Sequence, residues 1–150
     1  MLTKDEICRL IPHRDPFLWI DEVVEESEGR LVARKFVDPD LDVFRGHYPG
    51  RPVLPGVLLC EAAMQAGAVL VARVGVAGQP YADSATPGRV PVATRMNNVK
   101  FRQMVRPGDT LEIEVALTER VANAFFLSAR IGVAGKTAAQ LEFACALASG

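Results

Sequence analysis

From Thr110 to Thr118 the chain alternates strictly, with Leu111, Ile113, Val115 and Leu117 set between Thr110, Glu112, Glu114 and Ala116. That period of two predicts a strand with one face against a core. Runs rich in β-formers at Phe17–Val24, Arg30–Val37, Val92–Arg102, Asn123–Val133 and Thr137–Ala148 predict five more strands. Turn residues separate them: Ser27, Glu28 and Gly29 after the first, Arg106 to Asp109 ahead of the alternating strand, and Ala134 to Lys136 before the last. Thr3 and Glu6 have capping-box spacing, so residues 3–10 predict a short helix ended by Pro12.

A different pattern occupies residues 56 to about 74. Pro55 suits the first turn of a helix, and the residues from Gly56 to Val74 are apolar on nearly every side. A helix of that kind needs cover all round, whereas a surface helix carries a single apolar stripe. Pro39, Pro49, Pro52 and Pro55, with Gly46 and Gly50, make the preceding segment from Asp38 a structured loop, and Gly78–Pro91 reads as a turn-rich connection. The economical architecture is α+β: one antiparallel sheet of about six strands wrapped around one long central helix, as a single domain over residues 1–150.

Composition agrees with this picture. The chain has 150 residues, 49% of them hydrophobic and 23% charged, enough to bury one core. A formal net charge of -1, with no extended basic run, argues against nucleic acid as a partner. Lys4, Asp5, Glu6 and Arg9 interrupt the N-terminal region where a secretory signal would be apolar, and Glu61, Gln65 and Arg73 interrupt Val53–Val74, which argues against a membrane span. Cys8, Cys60 and Cys145 form neither an even set nor a CxxC pair, which suits a reducing cytoplasm. Two distant histidines, His13 and His47, make no metal-ligand cluster, and no metal is expected.

Candidate chemistry gathers around the long helix. Glu61 is the only charged side chain between Gly56 and Ala72, and Gln65 lies one turn later on the same face. Burial among Val57, Leu58, Leu59, Ala62 and Met64 should raise the carboxyl pKa, making Glu61 a proton donor near neutrality. The competing reading is a structural ion pair with a strand arginine, and for Gln65 a structural hydrogen bond or a water-ordering role. His47, in the rigid loop sequence GHYPGRPVLPG, is placed to remove a weakly acidic proton or, alternatively, to brace the loop. Gly56 and Val57 present free backbone N–H groups at the positive end of the helix, where a carbonyl oxygen could be held. Base, acid and oxyanion donors in one segment are what elimination of water from a 3-hydroxyacyl thioester requires.

The segments HRDPFLWIDEV at 13–23, GHYPGRPVLPGVLLCEAAMQ at 46–65 and VKFRQMVRPGDTLEIEV at 99–115 resemble the signatures of the 3-hydroxyacyl-[acyl carrier protein] dehydratases, most closely the FabZ type. The resemblance runs from about residue 10 to the C-terminus. It implies the hot-dog fold and conversion of (3R)-3-hydroxyacyl thioesters on acyl carrier protein to trans-2-enoyl thioesters in fatty acid biosynthesis. It also implies a homodimer or an assembly of dimers such as a hexamer, with each active site taking its histidine from one subunit and its glutamate from the other. By position, His47 is then the base, Glu61 the acid, the Gly56 amide the thioester-carbonyl donor, and Gln65 a helper that orders water. No cofactor is implied. His13, Arg14, Asp15, Pro16 and Phe17 match the family and are read as fixing the start of the first strand.

Glutamate at position 61, where the related dehydratase-isomerases typically carry aspartate, favours simple dehydration. The chain departs from the family before its third strand, reading VPVATRMNNVKF where an aromatic segment and Gly-Ile-Asp are common, which leaves acyl length and carrier open. Arg95, Lys100, Arg102 and Arg106 form a local positive excess, which an acidic carrier protein or plain solvent would both suit. A hot-dog acyl thioesterase and a non-catalytic acyl-binding subunit are the alternative functions.

Overall fold

The computed structural model describes residues 1–74 and 89–149. Helix α1 spans Lys4–Leu10; Thr3 caps it, and both arms of the capping box to Glu6 are formed. Strands β1 (Glu22–Ser27) and β2 (Arg30–Phe36) make a hairpin whose tight turn places Gly29 at a φ of 68°, a left-handed conformation that glycine adopts without strain. Within the proline-rich loop the sole regular element is a 3-10 turn at Asp42–Arg45. Helix α2 then runs over Gly56–Val74, and β3 (Arg89–Phe101), β4 (Thr110–Val121), β5 (Ala124–Val133) and β6 (Lys136–Ser149) complete the chain.

The six strands form one antiparallel sheet in the order β1-β2-β4-β5-β6-β3, folded around α2 as a hot-dog fold. Leu111, Ile113 and Val115 of β4 are fully buried, as their alternation predicts. Most of α2 from Leu59 to Ala72 is buried against the sheet. It is the one described helix long and apolar enough to cross a membrane, but 67% of it is buried inside the fold, as befits a core helix. The crossing is close at Gly67, where a Cβ would lie 2.5 Å from the Phe143 ring on β6.

Two sequence expectations need correction. The predicted strand Phe17–Val24 is displaced: Phe17–Asp21 lie outside the ladder and β1 begins at Glu22. Leu18, Trp19 and Ile20 are buried consecutively, without alternation, and two of their backbone groups bond to side chains. The Trp19 amide donates to Gln65 Oε1 (2.7 Å), and the Leu18 carbonyl accepts from Lys35 Nζ (3.1 Å). β-Former content alone does not separate such a core-filling extended segment from a strand. The turn-rich connection expected over Gly78–Pro91 lies outside the described residues up to position 88, and its last three residues already belong to β3.

Candidate active site

The loop after the 3-10 turn carries His47. Its backbone amide donates to the Val43 carbonyl (3.1 Å) and its carbonyl accepts from the Val53 amide (3.1 Å), so the loop closes on itself. His47 Nδ1 lies 2.8 Å from the Val53 carbonyl oxygen, and the ring stacks on Tyr48 with centroids 4.1 Å apart. A carbonyl can only accept, so Nδ1 carries the hydrogen and the Nε2 lone pair is left outward, the tautomer that a base needs.

Beside it α2 begins. The first amides of a helix have no intrahelical carbonyl, and Gly56 and Val57 line the same pocket as His47. That pocket, of about 530 Å³, is also bordered by Phe101, Arg102 and Met104. The Phe101 ring lies over Gly56 so closely that a Cβ there would come within 2.7 Å of it. Glycine at position 56 keeps the helix start open.

Glu61 opens into a different cavity, of about 280 Å³, shared with Pro12, His13, Met64, Gln65 and Phe143. Its side chain retains 21% exposure, so the carboxyl reaches a space that a substrate can enter. Gln65, 1% exposed, is held from three directions. Its Oε1 accepts from the Trp19 amide (2.7 Å), and its Nε2 donates to the Phe17 carbonyl and to Glu61 Oε1, both at 2.9 Å. Because the Trp19 amide can only donate, the orientation of the Gln65 amide is determined, and an N–H must face Glu61. With Oε1 so engaged, Oε2 is the free oxygen for an acidic proton.

Among the described residues the polar groups that Glu61 meets are Gln65 and His13, and no strand arginine of the competing reading. His13 Nε2 stands 3.7 Å from Glu61 Oε1. Burial, with a smaller contribution from Arg14, pushes the His13 pKa below its ordinary 6.5 against the opposing pull of Glu61, so at neutral pH the contact joins a neutral ring to the carboxyl. Read from sequence as part of a strand start, His13 is thus a neighbour of the candidate acid. Its sequence signals were its place at the head of the HRDPFLWIDEV segment and its rarity, as one of two histidines.

Within one protomer, then, His47, Gly56 and Val57 share one pocket and Glu61 and Gln65 share another, and neither pocket contains both His47 and Glu61. Among the described residues no group of three or more His, Cys, Asp or Glu is placed to hold a metal.

Residues 11–142 match the family model of the FabA-like domain. The 3-hydroxyacyl-[acyl-carrier-protein] dehydratase FabZ of Geobacter metallireducens is 40% identical over 139 residues, 92% of this chain and 88% of that protein. The FabZ of Enterococcus faecalis is 42% identical over 142 residues, 94% of each chain. Among solved structures, the dehydratase heterocomplex ApeI:P from Xenorhabdus doucetiae aligns with a TM-score of 0.73 at 20% identity, covering 93% of this chain and 89% of that one. A hypothetical thioesterase from Streptococcus pneumoniae, solved with coenzyme A, aligns at 0.63 and 12% identity over 85% of each chain. These two structural likenesses bear on the fold, whereas the sequence identities reach the family: the chain belongs to the FabA-like family and, within it, to the FabZ-type 3-hydroxyacyl-[acyl-carrier-protein] dehydratases.

Proposed function

We propose that this protein removes water from 3-hydroxyacyl thioesters carried on acyl carrier protein, in the cytoplasm, with His47 as base and Glu61 as acid. His47 Nε2 takes the proton from C2, and the electron pair moves toward the thioester carbonyl, whose oxygen is held by the Gly56 and Val57 amides. The pair then returns to form the C2–C3 double bond, the C3–O bond breaks, and Glu61 gives its proton to the departing hydroxyl. The products are an enoyl thioester and water. Gln65 orients Glu61 so that its free oxygen faces the cavity.

The observation that carries this reading is the division of the two groups between two open pockets, one built for a base and a carbonyl and the other for an acid. Two copies of the chain would complete a site by bringing the His47 pocket of one against the Glu61 cavity of the other. β3 supports such pairing: it ends the sheet, and Val92, Met96 and Phe101 on it are all about half exposed. An unpaired edge of this length with apolar side chains invites another strand. Arg95, Lys100, Arg102 and Arg106 are exposed, and Arg102 borders the His47 pocket, where a negatively charged carrier would approach. Carrier binding should then weaken steeply with salt.

The test is hydration of a crotonyl thioester, and its reverse, for His47→Ala and Glu61→Gln. Each variant should keep its fold and lose on the order of 100-fold or more in kcat. Near wild-type rates in either would remove that residue from the mechanism, and thiol release without an enoyl product would replace dehydration by hydrolysis.

A further inference from the structure

The acid in this mechanism ends each turnover as a carboxylate, and something must stabilise the charge that develops on it. Gln65 supplies one N–H to Glu61 Oε1. Among the described residues the other polar side chain near that oxygen is His13, and it is held in place from its backbone outward. The Arg14 guanidinium donates to the carbonyls of Cys8 (2.7 Å), Ile11 (2.8 Å) and His13 (2.7 Å), clamping the exit of α1. The imidazole projects from this clamp into the Glu61 cavity.

Its tautomer follows from burial. His13 Nδ1 is buried and has no partner among the described residues. A buried N–H left without an acceptor is rarer than a bare acceptor, which places the hydrogen on Nε2, the nitrogen facing Glu61. The 3.7 Å separation is long for a hydrogen bond in the resting acid form. Catalytic hydrogen bonds commonly tighten as charge develops, and movement of well under 1 Å would close this one.

We propose that His13 is a positioning residue for the dehydration, acting as a neutral Nε2–H donor that stabilises Glu61 as it gives up its proton. The proposal rests on Glu61 being the acid. The charged and titratable groups facing the His13 ring are Glu61 on α2 and Arg14 beside it in the chain, and the Cys145 thiol of β6 shares the cavity. Burial pushes that thiol up to about 11, so it stays neutral across the working range.

An N–H donor stabilises the carboxylate as the proton leaves, so its loss slows the chemical step and spares substrate binding. His13→Leu should lower kcat roughly tenfold with KM little changed. His13→Gln, whose Nε2 reaches the same place, should restore most of the rate. His13→Asn, too short, should behave like leucine.

An unchanged kcat in His13→Leu, or a glutamine variant as impaired as asparagine, would overturn the proposal in favour of a packing role. If leucine fails to fold, the glutamine–asparagine comparison decides alone. Glu61→Gln measured alongside separates the two levels. If that variant is inactive while His13→Leu keeps its kcat, only the role of His13 falls, and if it stays active the acid assignment falls as well.

Discussion

Replacing Gln65 by leucine tests the network that holds the acid. The two side chains are close in volume, so the change removes polarity with little loss of packing. It strips the Trp19 amide and the Phe17 carbonyl of partners now at 2.7 and 2.9 Å, and it frees Glu61 Oε1. Trp19 is 4% exposed and Gln65 1%, so water cannot replace the lost acceptor at the amide. An orphaned buried donor costs about 1–3 kcal/mol, and the part-buried Phe17 carbonyl adds a smaller amount. Removing the Gln65 amide from the interior returns a fraction of this, leaving a net loss of about 2–3 kcal/mol. For a chain of this size that lowers Tm by about 5–12 °C. Trp19 is the only tryptophan, so urea unfolding followed by its fluorescence reports on the segment in question. The comparison needs equal protein concentrations, because an oligomer's stability depends on them. A Gln65→Leu protein within about 0.5 kcal/mol of wild type would refute the view that Gln65 anchors residues 17–19.

Stability should also respond to pH through His13. Its folded pKa lies below 6.5, chiefly from burial, so the unfolded chain binds more protons there. The contribution is present above pH 6.5 and is lost as pH falls toward the folded value, and His13→Gln should flatten that part of the urea-midpoint profile; an unchanged slope would contradict it. Gly67→Ala sets about 1 kcal/mol of helix propensity against a Cβ 2.5 Å from the Phe143 ring, which is 3% exposed and cannot swing away. Overpacking costs about 1–3 kcal/mol, so net destabilisation is expected by urea titration, with loss of activity because Phe143 lines the Glu61 cavity. Gly56→Ala meets Phe101, 54% exposed and free to move, and should leave stability nearly unchanged while lowering kcat at the His47 pocket.

The features legible in the sequence were those whose cause is local. Helix α2 starts where Pro55 predicts and covers the apolar run to Val74, the Thr3–Glu6 box forms both bonds, and the alternation of β4 places Leu111, Ile113 and Val115 in the core. His47, Gly56 and Val57 fall in one pocket because a short rigid loop joins them, and Glu61 meets Gln65 because residues four apart share a helix face. What stayed hidden depends on distant partners. Phe17–Asp21 has strand-like composition, but the Trp19 amide and the Phe17 and Leu18 carbonyls are satisfied by the Gln65 and Lys35 side chains, which no periodicity reports. Lys35 is 8% exposed, a charge held inside by the Leu18 carbonyl and Asp21. His13 reaches Glu61 only through the packing of the α1 exit against α2.

If each active site joins His47 of one subunit to Glu61 of another, two inactive variants restore activity when they are paired in one dimer. His47→Ala and Glu61→Gln proteins, each inactive alone, are co-expressed with different tags, and the mixed species is purified through both. In that dimer one site has lost both groups and the other retains both, so crotonyl-thioester hydration should return to roughly half the wild-type rate per dimer. If each site lay within a single subunit, every site would lack one group and the mixed dimer would stay as inactive as its parents.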